Sequence, residues 1–427
     1  MLRRRSPDAA TRRTLAADVK ISRDKLVDFC VRLLRAKSEN PPGDTRAVAK
    51  VAAAILRQAT GAEVELIVSE PPIANVVARM KGNGPGRRLV FSGHLDTFPA
   101  GDLSRWTVDP FAGVRRGGRL YGRGVCDMKG GIACSLLAFL LLAERREAWR
   151  GEVVVALAGD EETMGVRGAE FLLDTVPHVT GDAMICGDAG SPRVLRFGEK
   201  GMIWIEVTAQ GRPAHGAHVH LGANALERLM EALARLRDLR RVPVRAPRAV
   251  TAAIRAARSV SEPLSGAGEA KVLQSVTVNC GIVSGGTSAN LVPAAARASL
   301  DIRLPVGATT AGIEARIEKL LGSLAGIDYR IVRRYEPNWT PPDHVIVRLL
   351  RASGREALGE TPVVNMRVGA SDSRLYRRRG IPSVVCGLTP HNMGGADEYV
   401  TLKDLFAVGY MHTLTAFDYL SAGKGDP

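Results

Sequence analysis

Four short apolar runs in this sequence are each followed closely by residues that could bind a metal ion. His94 follows LVFSG, Asp160, Glu161 and Glu162 follow EVVVALA, Asp188 follows DAMICG, and His391 follows SVVCGLTP. Imidazole and carboxylate groups are ligands of Zn²⁺ and similar divalent ions. In open α/β sheets, ligand sites form just beyond the carboxyl ends of the strands. If the four runs are strands, their spacing predicts a metal site at one edge of a sheet.

The pentapeptide GDEET (159–163) makes the same prediction independently. Three adjacent carboxylates at the end of a buried run are unfavourable, because neighbouring negative charges resist both ionisation and desolvation. A bound cation would neutralise them. The same acids could instead mark the start of a helix, where the helix dipole favours negative charge.

Helical segments lie between the first three runs, which is typical of a parallel sheet covered by helices. The character changes after Gly198, where MIWIEVTAQ, SVTVNCGIV and ARASLDIRL read as strands and ANALERLMEALARLRDL as an amphipathic helix with Leu226, Leu229, Met230, Leu233 and Leu236 on one face. We therefore predict an α/β fold: a mostly parallel-sheet catalytic domain covered by helices, made of residues 21–198 and 309–427. Residues 199–308 would form an inserted two-layer α+β lid or dimerisation domain, and residues 1–20 a basic N-terminal extension.

Composition excludes several function classes. The net charge of +15 invites a nucleic-acid partner, but aromatic content is only 5% and arginine is scattered among acidic residues, so we expect no nucleic-acid binding. Six cysteines without a CxxC pair are typical of reduced thiols and favour a cytoplasmic protein. The longest apolar stretch, SLLAFLLLA, has about half the length of a membrane span. It predicts a buried helix and no membrane partner.

Five motifs together resemble the two-zinc M20 metallopeptidase family, which includes acetylornithine deacetylase, succinyl-diaminopimelate desuccinylase, aminoacylase and glutamate carboxypeptidase. They are SGHLDTFP (92–99), GRGVCDMKGG (122–131), GDEET, CGDAG (186–190) and TPHNMGGADEY (389–399). The resemblance extends from about Lys25 to Phe417. It implies two divalent metal ions, with Zn²⁺ as the first choice and Co²⁺ or Mn²⁺ possible. His94 and Asp188 would hold one ion, Glu162 and His391 the other, and Asp127 would bridge them.

The resemblance also implies roles for seven further residues. Asp96 would orient the His94 imidazole, and alternation along an extended segment places both side chains on one face. Glu161 would act as general base toward the attacking water. His215 would reach the oxyanion from the partner subunit of a homodimer formed through the lid. The substrate contacts would be Asn290, Arg303, Gly369 and Ser371.

Some positions keep a second interpretation. His215 could belong to a solvated histidine-rich turn with His218 and His220, and Arg303 could form a plain salt bridge. In the family, the last histidine ligand usually lies four residues before the glutamate at Glu398, and that position is Gly394 here. Either His391 reaches the metal from three residues earlier, or that ion has only two strong protein ligands.

These features predict a hydrolase that cleaves the amide bond of a small N-acyl amino acid, of the deacetylase or desuccinylase type. A carboxypeptidase or dipeptidase acting on short peptides would share every residue named. A non-catalytic binding protein on the same fold is a further alternative, motivated by the displaced His391.

Overall fold

A computed structural model of the chain describes residues 9–422. They divide into two compact units. The first contains residues up to Phe197, Thr340–Asn365 and residues from Ala370 onward. The second contains Gly198–Trp339 and Met366–Gly369.

The helices and strands alternate along most of the chain. The helices are α1 (Ala9–Ile21), α2 (Arg23–Arg35), α3 (Arg46–Leu56), α4 (Gly130–Ala143), α5 (Phe171–Thr175), α6 (Ala225–Leu236), α7 (Arg248–Ser265), α8 (Glu269–Leu273), α9 (Thr310–Leu321), α10 (Val345–Leu358), α11 (Ser373–Arg378) and α12 (Leu402–Ser421). The strands are β1 (Glu63–Glu70), β2 (Ile73–Lys81), β3 (Arg88–His94), β4 (Val114–Arg116), β5 (Arg119–Tyr121), β6 (Glu152–Ala158), β7 (Ala183–Cys186), β8 (Val194–Glu199), β9 (Gly201–Gln210), β10 (Thr277–Gly285), β11 (Ala295–Leu304), β12 (Ile327–Tyr335), β13 (Asn338–Trp339), β14 (Val363–Arg367), β15 (Ser383–Val385) and β16 (Tyr399–Thr401).

The main sheet of the first unit has the strand order β1-β2-β6-β3-β7-β15-β8. Its four central strands, β6, β3, β7 and β15, are parallel and are the four runs predicted from the sequence. Their side chains are almost all buried, because helices cover both faces. The outer pairs β1–β2, β2–β6 and β15–β8 are antiparallel, so the sheet is mixed, with its parallel part confined to the centre.

Helix α4 confirms the predicted buried helix. Every residue from Gly130 to Leu142 is buried, and the helix packs against α12 and α2. The longer segment Val125–Ala143 is the one part of residues 9–422 that is long and apolar enough to cross a membrane, and it is buried inside the protein except for Asp127 and Ala143, which are partly exposed. The core helix of a globular unit has the same properties.

Most of the predicted N-terminal extension belongs to the first unit. Residues 1–8 lie outside the described part of the chain, but helix α1 buries Leu15 and Val19 and packs against α12. The Arg12 guanidinium lies 2.8 Å from carboxylate oxygens of both Glu356 and Asp418. The prediction of a separate N-terminal extension is therefore corrected: Arg12 forms ion pairs that attach helix α1 to the first unit.

The second unit is a four-stranded antiparallel sheet, in the order β10-β11-β9-β12, with helices packed on one face. The three predicted strands and the predicted helix α6 are present. The main segment of this unit ends at Trp339, later than the predicted boundary at residue 308, because β12 pairs with β9 and α9 buries Ile313 and Ile317 in the same core. Met230, predicted on the apolar face of α6, is exposed.

Candidate active site

The parallel register brings three of the predicted ligand positions to one edge of the main sheet. His94, the last residue of β3, pairs with Ala158 at the end of β6, and Ser92 pairs with Cys186 at the end of β7. The chain segments that follow these strand ends carry GDEET and Asp188. The carboxyl ends of adjacent parallel strands form the crevice in which α/β proteins bind ligands.

His94, Asp127 and Asp188 form a cluster that could hold a metal ion, and we call it the three-ligand cluster. One ligand atom from each residue lies within 4.8 Å of the other two. The His94 Nε2 atom is 3.0 Å from Asp127 Oδ1. Burial alone would lower the pKa of His94, but its hydrogen bonds to Asp127 and Asp96 raise that pKa well above its usual value. One imidazole and two carboxylates are a donor set that suits Zn²⁺ or a similar divalent ion, so these three residues fit a bound divalent metal ion.

Asp96 fixes both the imidazole and the neighbouring acidic turn. The His94 Nδ1 atom lies 3.0 Å from the Asp96 backbone oxygen and 3.4 Å from its Oδ1 atom. The carboxylate accepts hydrogen bonds from the backbone N–H groups of Glu161 and Glu162, both at 3.1 Å, and from Asn40 Nδ2 at 2.9 Å. Asp96 therefore holds His94 with Nε2 facing Asp127 and positions the turn that carries the two glutamates.

The three adjacent carboxylates of GDEET have different surroundings. Asp160 Oδ2 accepts a hydrogen bond from the Arg167 backbone N–H at 2.7 Å, and the Arg167 Nε atom is 3.7 Å away, so one oxygen of Asp160 has a partner within the protein, although burial raises the pKa of this carboxyl group. Burial and the charges of Asp127, Asp96 and Asp188 raise the pKa of Glu162 to about 8. Its buried Oε1 atom has no hydrogen-bond partner within residues 9–422. A buried acceptor without a partner, next to three other acids, fits a site built for a cation.

Glu161 is nearly buried, and its Oε1 atom lies 3.7 Å from Arg374 Nη1. Burial and the charges of Asp372 and Asp188 raise the pKa of Glu161 well above its usual value. Both glutamates are close enough to the three-ligand cluster to interact with the charges of His94 and Asp188, and Glu161 also lies near an arginine.

His391 does not join the three-ligand cluster in the described part of the chain. Its ring is stacked on Tyr399, with ring centres 4.5 Å apart and planes within 3° of parallel. The charges that act on it are those of Asp404 and Arg119. Gly394, at the usual ligand position, is exposed and has a φ of +75°. A residue with a side chain would be strained in this backbone conformation, whereas glycine adopts it readily.

Two predicted residues of the second unit lie on adjacent loops. The Gly216 N–H donates to the Asn290 backbone oxygen at 2.6 Å, which places His215 next to Asn290. A Cβ atom at Gly216 would be 3.0 Å from the Asn290 carbonyl carbon, so the close approach favours glycine there. His215 is exposed, and its ring lies 5.9 Å from that of His218, which in turn lies 6.0 Å from that of His220.

The remaining predicted substrate residues have varied surroundings. Arg303 Nε lies 2.8 and 3.0 Å from the two carboxylate oxygens of Asp301, which is the predicted alternative of a local salt bridge. Gly369 belongs to the second unit and is partly exposed. Ser371 belongs to the first unit and is fully buried, where its Oγ atom accepts a hydrogen bond from the Ser373 N–H at 3.3 Å. In this conformation Ser371 supports the start of α11.

Two buried ion pairs near the site were not predicted. Arg123 and Glu398 are both 1% exposed and pair with each other, and Glu398 Oε1 accepts from the Cys126 N–H at 2.9 Å. This pair steadies the segment just before Asp127. Asp372 and Arg374 lie 3.6 Å apart beside Glu161. A pair of opposite charges within the loop GASDSR was the available signal, because charges in a segment of small residues need a partner once buried.

Comparison with known proteins fits this geometry. A family model described as "Peptidase family M20/M25/M40" matches residues 90–416. The chain belongs to this family. It is 31% identical over 339 residues to a succinyl-diaminopimelate desuccinylase of Rhodospirillum centenum, an alignment that covers 78% of this chain and 81% of the relative. Family membership and the three-ligand cluster make the protein a metal-dependent amidohydrolase.

Solved structures of the M20 family share the fold. The M20 family metallo-carboxypeptidase Sso-CP2 of Sulfolobus solfataricus superposes with a TM-score of 0.75 at 18% identity, covering 92% of this chain and 99% of that one. The YXEP protein of Bacillus subtilis, described as a dinuclear metal binding peptidase of the M20 family, gives a TM-score of 0.66 at 15% identity, covering 94% and 99%.

Proposed function

We propose that this protein hydrolyses the amide bond of a small N-acyl amino acid, as a deacetylase or desuccinylase. The observation that carries the proposal is the three-ligand cluster, which lies beside the acidic turn GDEET at the carboxyl ends of the central strands. The name of the relative from Rhodospirillum centenum supports an N-succinyl amino acid as the first substrate to test.

We propose two divalent ions as cofactors, with Zn²⁺ first and Co²⁺ or Mn²⁺ as alternatives. His94, Asp127 and Asp188 would hold one ion, and Asp127 and Glu162 would contribute to the second. The dinuclear site of the structural neighbour from Bacillus subtilis supports this number. His391 would complete the second set only if the segment after Pro390 rearranges, because its ring now stacks on Tyr399. The second ion should therefore bind more weakly.

The side chains of the first unit have separate roles in this reaction. Divalent ions at such positions polarise the scissile carbonyl and make water more acidic. Glu161 would accept the proton of the attacking water and deliver it to the leaving amine. Asp96 would keep the His94 imidazole in the tautomer that leaves Nε2 free to bind a cation.

We propose that the second unit supplies substrate contacts and forms a homodimer. His215, reaching the site of the partner subunit, would stabilise the oxyanion. Asn290, Arg303 and Gly369 would contact the substrate, and Ser371, which is fully buried, would do so only after its loop rearranges. The edge strand β10 supports dimerisation: Ile282 and Val283 are exposed on it, and an exposed apolar edge strand favours pairing with another chain.

The cytoplasm is the proposed compartment. All six cysteines are free, and all except Cys280 are buried. Unpaired cysteines in such number are typical of a reducing environment.

A substrate panel tests the proposal. The purified protein, loaded with Zn²⁺, Co²⁺ or Mn²⁺ in turn, would be assayed with N-succinyl and N-acetyl amino acids and with dipeptides. We expect turnover of an N-acyl amino acid and none in the presence of a chelator. Preference for dipeptides would favour the carboxypeptidase or dipeptidase alternative. Absence of turnover, with less than one equivalent of tightly held metal, would favour the binding protein.

A further inference from the structure

Arg374 is a buried cation beside the site that the proposed mechanism does not yet use. The residue is 1% exposed and lies near the start of α11. Its Nη1 atom is 3.7 Å from Glu161 Oε1 and 3.6 Å from Asp372 Oδ1. A buried guanidinium with two acidic neighbours carries strong electrostatic interactions, because little water screens them.

Hydrogen bonds fix the plane of this guanidinium. Nη1 donates to the Ser371 backbone oxygen at 2.7 Å, and Nη2 donates to the Met164 backbone oxygen, also at 2.7 Å. Met164 closes the turn that begins at Glu161, since its N–H donates to the Glu161 backbone oxygen at 2.7 Å. Arg374 therefore contacts both the side chain of Glu161 and the backbone of the turn that carries it.

This arrangement complements the one made by Asp96. Asp96 accepts from the backbone N–H of Glu161 on one side, and Arg374 contacts the carboxylate on the other. A lysine could not reproduce both contacts, because an ammonium group lacks the planar fork that reaches two backbone oxygens and a carboxylate at once.

We propose that Arg374 is a positioning residue, which holds the Glu161 carboxylate in the orientation required for proton transfer, with Asp372 holding Arg374 in place. This inference rests on the proposed role of Glu161. It predicts a loss in kcat without a matching loss of substrate affinity, because a misplaced general base slows chemistry and leaves the substrate contacts intact.

The test compares Arg374→Lys and Arg374→Ala with the wild-type protein, using Zn²⁺-loaded protein and the best N-acyl substrate of the panel. We expect Arg374→Lys to lower kcat about 10- to 100-fold with KM within about twofold, at unchanged zinc content and melting temperature. Millimolar methylguanidinium should restore part of the kcat of Arg374→Ala and none of the kcat of Glu161→Gln.

Arg377→Lys is the matched control. Arg377 is also buried on α11, and its Nε and Nη2 atoms donate to the Ser383 backbone oxygen at 3.1 and 3.0 Å. We expect its kcat to stay within about twofold of the wild-type value. An Arg374→Lys variant with wild-type kcat, or one that loses kcat only as much as Arg377→Lys does, would overturn the proposal.

Two outcomes separate this inference from the proposed function. Substantial turnover by Glu161→Gln would contradict the general-base role of Glu161, on which this inference rests. If the Glu161→Gln variant is inactive and the separate Arg374→Lys variant is fully active, only the proposed role of Arg374 is contradicted. If neither Arg374 variant folds, crystals of the metal-loaded wild type decide: a Glu161 carboxylate within about 4 Å of Arg374 supports the proposal, and one turned away contradicts it.

Discussion

The predicted site residues of the two units differ in how they are held. In the first unit, His94, Asp96 and Asp188 are buried, and hydrogen bonds tie His94 to Asp127 and Asp96 to the backbone of Glu161. In the second unit, His215 and Asn290 are exposed and contact mainly each other's loops. The first set is therefore held more firmly than the second.

The largest expected effect on kcat tests the buried site residues of the first unit. Glu161→Gln keeps the shape of the side chain but removes the proton acceptor, so we expect kcat to fall about 10³-fold at unchanged zinc content. Steady-state kinetics with metal analysis measures both quantities. Glu162→Gln is the matched control, since it should also lose metal. A Glu161→Gln variant that keeps more than a tenth of wild-type kcat would contradict the assignment.

The next largest effect on kcat tests the exposed site residues of the second unit. His215→Ala removes the proposed oxyanion donor, so we expect kcat to fall about 10²-fold with a small change in KM. His220→Ala, in the same histidine-rich turn, should be nearly neutral. Equal effects of the two substitutions on kcat would favour a solvated turn without a catalytic role.

A smaller effect distinguishes the two interpretations of Arg303. If its guanidinium binds a substrate carboxylate, Arg303→Ala should raise KM about tenfold and leave kcat close to wild type. Arg297, exposed on the same strand with its Nε atom 3.0 Å from Ser284 Oγ, provides the control variant Arg297→Ala. An unchanged KM would leave Arg303 with only its salt bridge to Asp301.

A final prediction concerns the stability of the core of the first unit and not catalysis. Burial lowers the pKa of His412 from 6.5 to about 4, so the neutral form is favoured in the folded state. The resulting stability is present above pH 6.5 and is lost as the pH falls toward 4, up to about 3 kcal/mol. Urea unfolding at pH 7 and pH 4.5 should show the wild type losing more stability than His412→Gln. Equal losses would contradict this account.

The sequence predicted the parts of the protein that follow a local pattern. The central strands were recognisable because buried apolar runs end in polar residues. The ends of β3 and β7 bring His94 and Asp188 together, and Asp127 joins them from the segment just before α4. The domain boundary was less accessible, because α9 and β12 carry no local sign of which core they join. The N-terminal helix was obscured by its arginines, and only the structure shows Arg12 paired with Asp418.

Two features of the site depend on tertiary contacts that no local pattern encodes. His391 has the right residue type, but its ring packs on Tyr399 instead of joining the cluster. Arg374 lies 213 positions after Glu161 in the chain. Its contact with that carboxylate arises only when the loop before α11 meets the acidic turn. Loop conformations and long-range pairings of this kind are where sequence reasoning stops.

The most direct test is anomalous X-ray diffraction from crystals of the Zn²⁺-loaded protein, recorded on both sides of the zinc absorption edge. The account predicts a strong anomalous peak within bonding distance of His94 Nε2, Asp127 and Asp188, and a weaker neighbouring peak close to Glu162. Peaks only elsewhere on the protein, or none in zinc-loaded crystals, would contradict it.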